Sequence, residues 1–466
     1  KRDRIVAKVK SKYWQRTHKY GIEIPKSVAE AKRIDEKNGN TLWWDAICQE
    51  MANVRVAFEE YDGEGVPVGY AKIRCHIIFD VKLGENFRRK ARLVAQGNKT
   101  EEPDVITFSS VVSRDSVRIC LLIAALNDLE LKACDIKNAY LTAPNKEKVY
   151  IEAGPEFGPE LSGKILIVAR ALYGLKSAGA AFRSYLAEHL WNMDYRPSYA
   201  DPDVWLRPAV KANGFEYYEM ILCYVDDILC ISHDPMRTMT RIKEKFALKN
   251  DEVKTPSDYL GGILEQMTNE NGTSCWSQSS DKYVQAAIAN VESKLSESGR
   301  ELQKAKHCSA PFASNYRPEL DDTAELSLDG HRYFQELIGV LRWAVELGRL
   351  DILLETSLLS AYLASPREGH LEAAYHIFGY LKSHPKRKIA FDPDYPQIDQ
   401  RRFQKHDWED FYKGVTEAIP ANAPPPRGRS VTTSCFVDAN LAGNTVNRRS
   451  QTGILIFVNK APILWH

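Results

Sequence analysis

The clearest pattern in the sequence is a pair of acidic residues set between two apolar stretches. Residues 217–232 read Tyr-Tyr-Glu-Met-Ile-Leu-Cys-Tyr-Val-Asp-Asp-Ile-Leu-Cys-Ile-Ser, which places Asp226 and Asp227 in the middle. Short apolar runs on either side of a turn signal are typical of two buried strands. The pattern therefore predicts a buried hairpin with a tight acidic turn.

A second hairpin is predicted nearer the N-terminus, and it is strongly basic. Every second residue from Ile73 to Phe79 is apolar, as expected for a strand with one buried face. A turn at Gly84-Glu85-Asn86 and a second strand over 88–94, which reads Arg-Arg-Lys-Ala-Arg-Leu-Val, complete this hairpin.

The rest of the chain alternates between helical and extended patterns. Apolar residues spaced by three and four predict helices over 27–51, with Ser27 as the cap, over 114–127 and over 170–193. The other predicted elements are strands over 129–135, 434–438 and 453–458, a mostly helical region from 262 to about 383, and a proline-rich linker over 393–430. Together they predict an α/β (α+β) chain of several domains.

Composition excludes several classes of protein. With 466 residues, 44% of them hydrophobic, the chain can fold into about three domains of roughly 150 residues each, and wholesale disorder is excluded. The 63 Lys and Arg nearly balance the 62 Asp and Glu, which excludes a polybasic protein but not a locally basic channel. No apolar run approaches the ~18 residues of a membrane span, so we expect no membrane contact.

The cysteines and the N-terminus add two expectations. The nine cysteines are scattered without a Cys-x-x-Cys pair, so neither a disulfide framework nor a structural zinc site is expected, and a reducing compartment is. Residues 1–20 carry eight Lys or Arg against one acid, and this arm is either a solvated segment or a nucleic-acid contact. The chain lacks a starting Met and a signal-peptide core, so we expect a fragment or a processed piece.

Asp135, Asp226 and Asp227 are the residues that predict chemistry. Asp135 closes the apolar strand over 129–135, and the other two interrupt the buried hairpin. A buried carboxylate is costly to ionise unless a cation compensates it, and a divalent metal is the natural cation. Two Mg²⁺ ions, or Mn²⁺, roughly 3.5–4 Å apart and bridged by carboxylates are suited to phosphoryl transfer. Asp226 and Asp227 alone also fit an ordinary hairpin turn, whereas Asp135 on a separate strand favours a metal site.

The order of several motifs resembles that of copia-type retrotransposon reverse transcriptases. The motifs are Arg-Lys-Ala-Arg-Leu-Val-Ala at 89–95, Thr-Phe-Ser-Ser-Val-Val at 107–112, Asp-Ile-Lys-Asn-Ala-Tyr-Leu at 135–141, Leu-Tyr-Gly-Leu-Lys at 172–176 and Tyr-Val-Asp-Asp at 224–227. Tyr-x-Asp-Asp alone is a weak signal, but the ordered set is specific and runs from about Trp43 to the C-terminus. The resemblance implies a right-hand polymerase that copies an RNA or DNA template from a primer, using deoxynucleoside triphosphates.

Carried over residue by residue, the resemblance assigns a role to each acid. It makes Asp135, Asp226 and Asp227 the metal-binding triad, with the carbonyl of Ile136 as an extra ligand. It also places Tyr140 under the incoming sugar, where the ring would exclude a 2′-hydroxyl, although spacing alone favours a core aromatic for this residue.

The resemblance also implies residues that bind the nucleotide. Lys90 and Arg92 would meet the triphosphate, although both also fit a solvated hairpin face. Tyr173 and Gly174 would lie beside the nucleotide, with Gly174 either approaching the nascent base pair closely or forming an ordinary turn.

Two later segments resemble parts of the polymerase that hold the primer. Leu260 and Gly261 resemble the hairpin that grips the primer end. Residues 283–304, with Lys294, Arg300 and Lys304 pointing outward, resemble the helical thumb.

The C-terminal residues resemble the first strands of the RNase H domain in the same polyproteins. Asp438 matches the first metal-binding acid of that domain, whereas Asn440 and Asn444 stand where further acids are usual. One carboxylate cannot hold two metal ions, so we expect Asp438 to be vestigial and RNase H activity to be absent from this chain.

The resemblance implies a division of the chain and a function. The segments are a basic N-terminal arm (1–40), fingers (41–110), palm with an interleaved fingers segment (111–265), thumb (266–330), helical connection (331–395), linker (396–430) and a partial RNase H-like segment (431–466). The expected function is reverse transcription inside the cell, in the cytoplasm, a virus-like particle or the nucleus. Two alternatives remain open: a captured retroelement protein that binds nucleic acid or assembles without catalysis, and a metal-dependent nuclease that uses the same acids.

Overall fold

The structure is a computed structural model, and it describes residues 18–19, 22–82, 87–100, 102–103, 105–303, 308–399, 401, 411–414 and 421–466. The predicted turn at 84–86, Lys304 and much of the predicted arm and linker lie outside these residues.

The described residues form a mixed α/β chain with several separate sheets. In chain order the strands are β1 (His18–Lys19), β2 (Ile22–Glu23), β3 (Phe58–Glu60), β4 (Ala71–Lys72), β5 (Cys75–Lys82), β6 (Arg88–Ala95), β7 (Glu130–Asp135), β8 (Val149–Glu152), β9 (Ile165–Val168), β10 (Arg196–Pro197), β11 (Val204–Val210), β12 (Glu216–Tyr224), β13 (Asp227–Ser232), β14 (Asp258–Tyr259), β15 (Gly262–Thr268), β16 (Ser274–Ser279), β17 (Lys388–Phe391), β18 (Thr433–Ala439), β19 (Thr452–Val458) and β20 (Ala461–Trp465). The α-helices are α1 (Val28–Asn38), α2 (Leu42–Val54), α3 (Arg114–Leu126), α4 (Ala139–Thr142), α5 (Ala178–Asn192), α6 (Pro235–Lys245), α7 (Asp281–Ser296), α8 (Leu328–Glu346), α9 (Leu353–Ser360) and α10 (Glu368–Ser383).

The central sheet has the strand order β10-β11-β12-β13-β7 and carries the acidic hairpin. Side chains alternate between its faces, so Leu229 and Ile231 enter one hydrophobic core while Ile228 and Cys230 enter another. Helix α3 packs in the first core, and α5 and α6 pack in the second. Because both faces are buried, residues 228–231 of β13 are all apolar. The predicted strand, acidic turn and second strand are confirmed.

The predicted basic hairpin is also confirmed. β5 and β6 pair antiparallel with Ile77 opposite Leu93, and the buried residues of β6 join the second core beside Trp43 of α2. The hairpin forms a sheet of its own, next to a four-stranded sheet with the order β3-β9-β8-β4.

Two of the predicted helices have different bounds in the structure. The prediction of one helix over 27–51 is wrong, because Gly39 adopts φ 63° and its backbone N–H caps the end of α1 before α2 begins. The predicted cap is confirmed, since the Ser27 side chain accepts a hydrogen bond from the Glu30 N–H. Helix α5 begins at Ala178 rather than near 170.

The mostly helical region predicted after Gly262 begins instead with a hairpin. β15 and β16 pair antiparallel around a turn at Asn271-Gly272, and β14 and β17 extend this sheet to four strands. Asn-Gly between two strands is a strong hairpin signal, and Gly272 adopts φ 83°. The predicted boundary after residue 265 lies within β15.

The C-terminal residues form a sheet with the order β18-β19-β20, which confirms the two predicted strands and adds a third. Ile463 and Trp465 of β20 enter the first core. The buried Arg118 of α3 lies over the Trp465 ring and donates to the Ile463 carbonyl at 2.9 Å. This sheet is thereby docked on the central part of the molecule.

No helix among the described residues combines the length and the apolar character that crossing a membrane requires. All nine cysteines lie in the described part of the chain and each is a free thiol.

Candidate active site

The structure brings the three predicted acids to one end of the central sheet. Asp135, the last residue of β7, pairs in register with Asp227, the first residue of β13. The carbonyl of Asp226 accepts a hydrogen bond of 2.8 Å from the N–H of Ile136, the residue after Asp135. Residues 90 and 92 positions apart along the chain therefore meet through backbone pairing, which fixes the spacing of the carboxylates.

The turn that carries Asp226 is strained. Tyr224 pairs with Asp227, so Val225 and Asp226 form a two-residue loop, and Val225 adopts φ 56°. A left-handed conformation is unusual for a β-branched residue and costs on the order of 1–3 kcal/mol. Strain of this kind persists only where the surrounding packing enforces it, and here both flanking strands are buried.

The electrostatics of the acids follow from burial and mutual repulsion. Burial, together with the Asp226 and Asp135 carboxylates, raises the pKa of Asp227 to about 6. Burial and the charge of Asp135 also raise the pKa of Asp226. Both shifts mean that the ionised pair is destabilised and that a nearby cation would relieve it.

The donor set fits a divalent ion of the Mg²⁺ type. Such ions prefer carboxylate oxygens, and these three carboxylates carry charge that the surrounding protein compensates only in part. As the side chains stand, no three Asp, Glu, His or Cys residues among those described are gathered closely enough to enclose an ion. Ile136, whose carbonyl is predicted to be a further ligand, is fully buried.

A cation that the sequence analysis missed sits among the acids. The Lys249 ammonium lies 3.0 Å from Oδ2 of Asp135, and its charge lowers the pKa of both Asp226 and Asp227. It belongs to a short irregular segment after α6, 114 residues from its partner in the sequence. No periodic pattern marks it, so only the fold reveals it.

Tyr140 and Tyr173 form an aromatic platform beside the acids. Their ring centroids lie 4.9 Å apart, and burial with the nearby Asp226 carboxylate raises the pKa of Tyr140. Tyr140 sits on the short helix α4, which Asn138 starts in a left-handed conformation with φ 52°. Tyr140 is half-buried, so it is neither a fully enclosed core residue nor a free surface residue.

The basic strand reaches this platform through Arg92. Its guanidinium lies 4.9 Å from the centroid of the Tyr173 ring, within cation–π range, and its charge also lowers the pKa of Asp226. Lys90 is two residues earlier on β6 and so shares the face of Arg92. The structure thus gathers Arg92, Tyr173 and Tyr140 at the acidic end of the central sheet.

Glu50 of α2 is a second residue that the sequence analysis missed. Its Oε1 accepts a hydrogen bond of 2.9 Å from the N–H of Leu93. Burial raises the pKa of Glu50, whereas the charges of Arg92 and Lys90 lower it. Glu50 therefore braces the basic strand and lies close to two of its cations, Arg92 and Lys90.

The backbone that Gly174 approaches closely in the structure is that of strand β6. It adopts φ 93°, and a Cβ there would overlap the carbonyl oxygen of Ala95 in β6. A Cβ at Gly97 would in turn overlap the carbonyl oxygen of Gly174. The Ala95 N–H also donates to the Tyr173 carbonyl at 2.7 Å. These interlocked glycines join the platform loop to the basic strand.

Leu260 and Gly261 form the tight turn between β14 and β15. Both have positive φ, 50° and 85°, which matches the two-residue turns that suit the twist of a hairpin. Trp343 of α8 lies against Gly261, and Arg114 lies over the Trp343 ring at 3.7 Å. Burial, with the charge of Asp227 also contributing, raises the pKa of Tyr259, so this turn begins close to the acids.

The predicted thumb helix is shorter than expected, and its cations are matched by acids. Helix α7 ends at Ser296, so the prediction of a helix through residue 304 is wrong. Lys294 and Arg300 point outward as predicted, with about half of each side chain exposed, and they pair with Glu297 and Glu372.

Asp438 stands apart from the other predicted acids. It lies in β18, the exposed edge strand of the C-terminal sheet, directly opposite Gly453. Its side chain is exposed, and neither Phe436 nor Val437 beside it is buried.

Comparisons with known proteins point to one family. A family model described as reverse transcriptase (RNA-dependent DNA polymerase) matches residues 60–292, half of the chain. The retrovirus-related Pol polyprotein from transposon TNT 1-94 of Nicotiana tabacum is 26% identical over 464 residues, which is 95% of this chain and 30% of that protein. The polyproteins from transposons RE1 and RE2 of Arabidopsis thaliana are 25% and 23% identical over 91% and 99% of this chain. The chain spans 26–30% of the length of these relatives.

Proposed function

Because this chain belongs to the reverse transcriptase (RNA-dependent DNA polymerase) family, we propose that it copies an RNA or DNA template into DNA. In this proposal, deoxynucleoside triphosphates are joined one at a time to the 3′-hydroxyl of a primer. The observation that carries the proposal is the register pairing of Asp135 with Asp227, beside the backbone bond between Ile136 and Asp226.

The acids would hold two divalent ions, Mg²⁺ or Mn²⁺, through Asp135, Asp226, Asp227 and the carbonyl of Ile136. Ions bound there supply charge neutralisation for the attacking oxygen and the leaving pyrophosphate. The protein's own part is positioning: backbone pairing holds the carboxylates at fixed spacing, and two buried cores keep the strained turn from relaxing.

Arg92 and Lys90 would bind the triphosphate. Two observations favour Arg92: its guanidinium lies 4.9 Å from the centroid of the Tyr173 ring, and its charge lowers the pKa of Asp226. A planar guanidinium can donate two hydrogen bonds to one phosphate, whereas the ammonium of Lys90 acts as a point charge. Glu50 would hold the strand that presents both cations, through its bond to the Leu93 N–H.

Tyr140 would select the sugar. Its ring packs against Tyr173 on one side and Phe182 on another, so it cannot move away from a substrate without breaking these contacts. A rigid ring under the sugar leaves no room for a 2′-hydroxyl. We expect Tyr140→Ala to raise incorporation of ribonucleotides by at least about tenfold relative to deoxynucleotides, since each 1.4 kcal/mol of steric conflict gives a factor of ten. Competition assays with the two nucleotide types measure this ratio, and an unchanged ratio would contradict the role given to Tyr140.

The primer and template would lie beside the acidic end of the central sheet, held mainly by their phosphates. Leu260 and Gly261 would contact the primer end, and this assignment is supported by the start of strand β14, which leads into their turn, close to Asp227. Binding through phosphates releases counterions, so affinity should fall steeply as salt rises. In the cell, the reaction would take place in a reducing compartment, in the cytoplasm, a virus-like particle or the nucleus.

Primer extension on an RNA template tests the proposal. The unsubstituted chain should extend a labelled DNA primer, and the double variant Asp226→Ala with Asp227→Ala should lose at least about 10³-fold in rate. Asp438→Ala, the control, should extend normally. Tight binding without extension would instead support a non-catalytic nucleic-acid-binding protein, and cleavage in the absence of nucleotides would support a nuclease.

A further inference from the structure

Lys249 is held beside Asp135 by the backbone as well as by its own side chain. The N–H of Lys137 donates to the carbonyl of Ala247 at 2.9 Å, and Ile136 and Leu248 form an antiparallel bridge. A further bridge joins Ala133 to Lys254. The segment 247–254 thus covers the outer edge of β7, and it brings residue 249 level with Asp135.

The loop that carries Lys249 has a defined shape. The two residues after it, Asn250 and Asp251, both adopt φ 55°, and Asp251 is bound by Lys243 of α6 at 2.8 Å. This backbone holds the start of the Lys249 side chain level with Asp135. The contact between Lys249 and Asp135 is therefore a property of this fold.

The charges explain why a cation is placed there. Asp135, Asp226 and Asp227 repel one another at the end of the sheet, and Asp258 adds further negative charge near Asp227. Lys249 opposes this repulsion, because its ammonium lies 3.0 Å from Oδ2 of Asp135. Lys249 and Asp135 are both partly open to solvent, so an ion from solution can reach their contact.

We propose that Lys249 is a built-in placeholder cation, which holds the Asp135 carboxylate in position until a divalent ion displaces it. The proposal rests on the proposed function, because it assumes that Asp135 is a metal ligand. An ammonium donates hydrogen bonds to one carboxylate, whereas a divalent ion can be shared by several, so ion binding replaces the contact between Lys249 and Asp135. Lys249 therefore holds the Asp135 carboxylate in one position, and it competes with the ion for that carboxylate.

Direct measurement of Mn²⁺ binding tests this role without any enzymatic reaction. Full-length chain without nucleotide or nucleic acid is titrated with Mn²⁺, and free Mn²⁺ is followed by electron paramagnetic resonance. Lys249→Gln should bind Mn²⁺ about two- to fivefold more tightly than the unsubstituted chain, the factor expected when one partly exposed ion pair no longer competes. Lys164→Gln is the matched control, because it removes a lysine of the same exposure whose ion pair is with Glu60 and not with the acids, and its affinity should be unchanged.

A second measurement uses the unsubstituted chain, so it does not depend on how a variant folds. Acetylation of surface amines with a limiting reagent is quantified by mass spectrometry, with and without Mn²⁺. Modification of Lys249 should rise at least about twofold when Mn²⁺ is present, because the amine is released from Asp135, while modification of Lys243 should stay constant.

The outcomes separate this proposal from the proposed function. If Asp227→Asn weakens Mn²⁺ binding but Lys249→Gln binds with unchanged or lower affinity, the placeholder role is wrong and the metal site stands. If Asp227→Asn binds Mn²⁺ as tightly as the unsubstituted chain, the acids are not a metal site and both proposals fail. Unchanged acetylation of Lys249 on addition of Mn²⁺ would also overturn the placeholder role.

Discussion

The molecule contains the same short sequence pattern, an aromatic residue followed by Val and Asp, in two very different settings. Tyr224-Val225-Asp226 turns sharply at Val225 between two buried strands, whereas Phe436-Val437-Asp438 continues straight along the exposed edge strand β18. The first Asp meets two other carboxylates and has a raised pKa, while the second is exposed to solvent. An acid thus becomes a candidate catalytic group through burial, convergence and a strained turn, and the local tripeptide alone does not determine this.

Apart from activity, the largest difference that we expect between the buried acids and the exposed Asp438 is in how they make the free energy of unfolding depend on pH. The pKa of Asp227 is raised from its usual 3.8 to about 6, so the folded chain binds this proton more tightly than the unfolded chain does. The free energy of unfolding should therefore fall as pH rises from about 4 to about 6, and the ionised carboxylate destabilises the metal-free fold at pH 7. Asp227→Asn should raise the free energy of unfolding at pH 7 by on the order of 1–2 kcal/mol, less than the full shift because solvent screens part of the charge.

Urea unfolding in EDTA at several pH values measures this effect. The increase in the free energy of unfolding for Asp227→Asn should vanish below about pH 4, because the Asp227 carboxyl of the unsubstituted chain is then largely protonated in both the folded and the unfolded state. Asp438→Asn is the matched control and should unfold like the unsubstituted chain at every pH, because its carboxylate is exposed. If Asp227→Asn is less stable than the unsubstituted chain at pH 7, the claim that burial and repulsion destabilise the ionised Asp227 carboxylate is wrong.

A smaller difference should separate the two valines. Glycine adopts φ 56° without strain, so Val225→Gly relieves about 1 kcal/mol of backbone strain, which offsets the loss of the valine's packing on the second core. In the extended strand β18, Val437→Gly should instead lower the free energy of unfolding by about 0.5–1 kcal/mol. Denaturant unfolding of both variants under one condition makes the test. A variant Val225→Gly less stable than Val437→Gly would show that the turn at Val225 is not strained.

Sequence reasoning located the acids because their surroundings leave a pattern. A strand buried on both faces is apolar throughout, so Asp226 and Asp227 interrupt the run and are visible in the sequence. The basic hairpin was likewise predictable, since alternation from Ile73 to Phe79 marks one buried face. Tyr140 was placed by resemblance, because its spacing alone favoured a core residue.

Sequence reasoning failed where contacts join distant segments or where one residue ends an element. Lys249 and Glu50 are single charges whose partners, Asp135 and the N–H of Leu93, are adjacent only in the fold. The helix break at Gly39 and the hairpin at Asn271-Gly272 did leave signals, a glycine cap and an Asn-Gly turn, that a helical pattern concealed. Strand β20 is short and contains Pro462, so no local pattern indicates that it is buried or that it contacts Arg118.

The interlocked glycines join strand β6 and the loop of Tyr173 into one unit. Neither Gly97 nor Gly174 has room for even a methyl group between the two backbones, and the bond from Ala95 to Tyr173 closes the same junction. Strand β6 and the loop of Tyr173 must therefore move together as one rigid unit. If the proposed function holds, an incoming nucleotide would meet Arg92 and Tyr173 already assembled, and any movement that admits it would have to occur elsewhere in the chain.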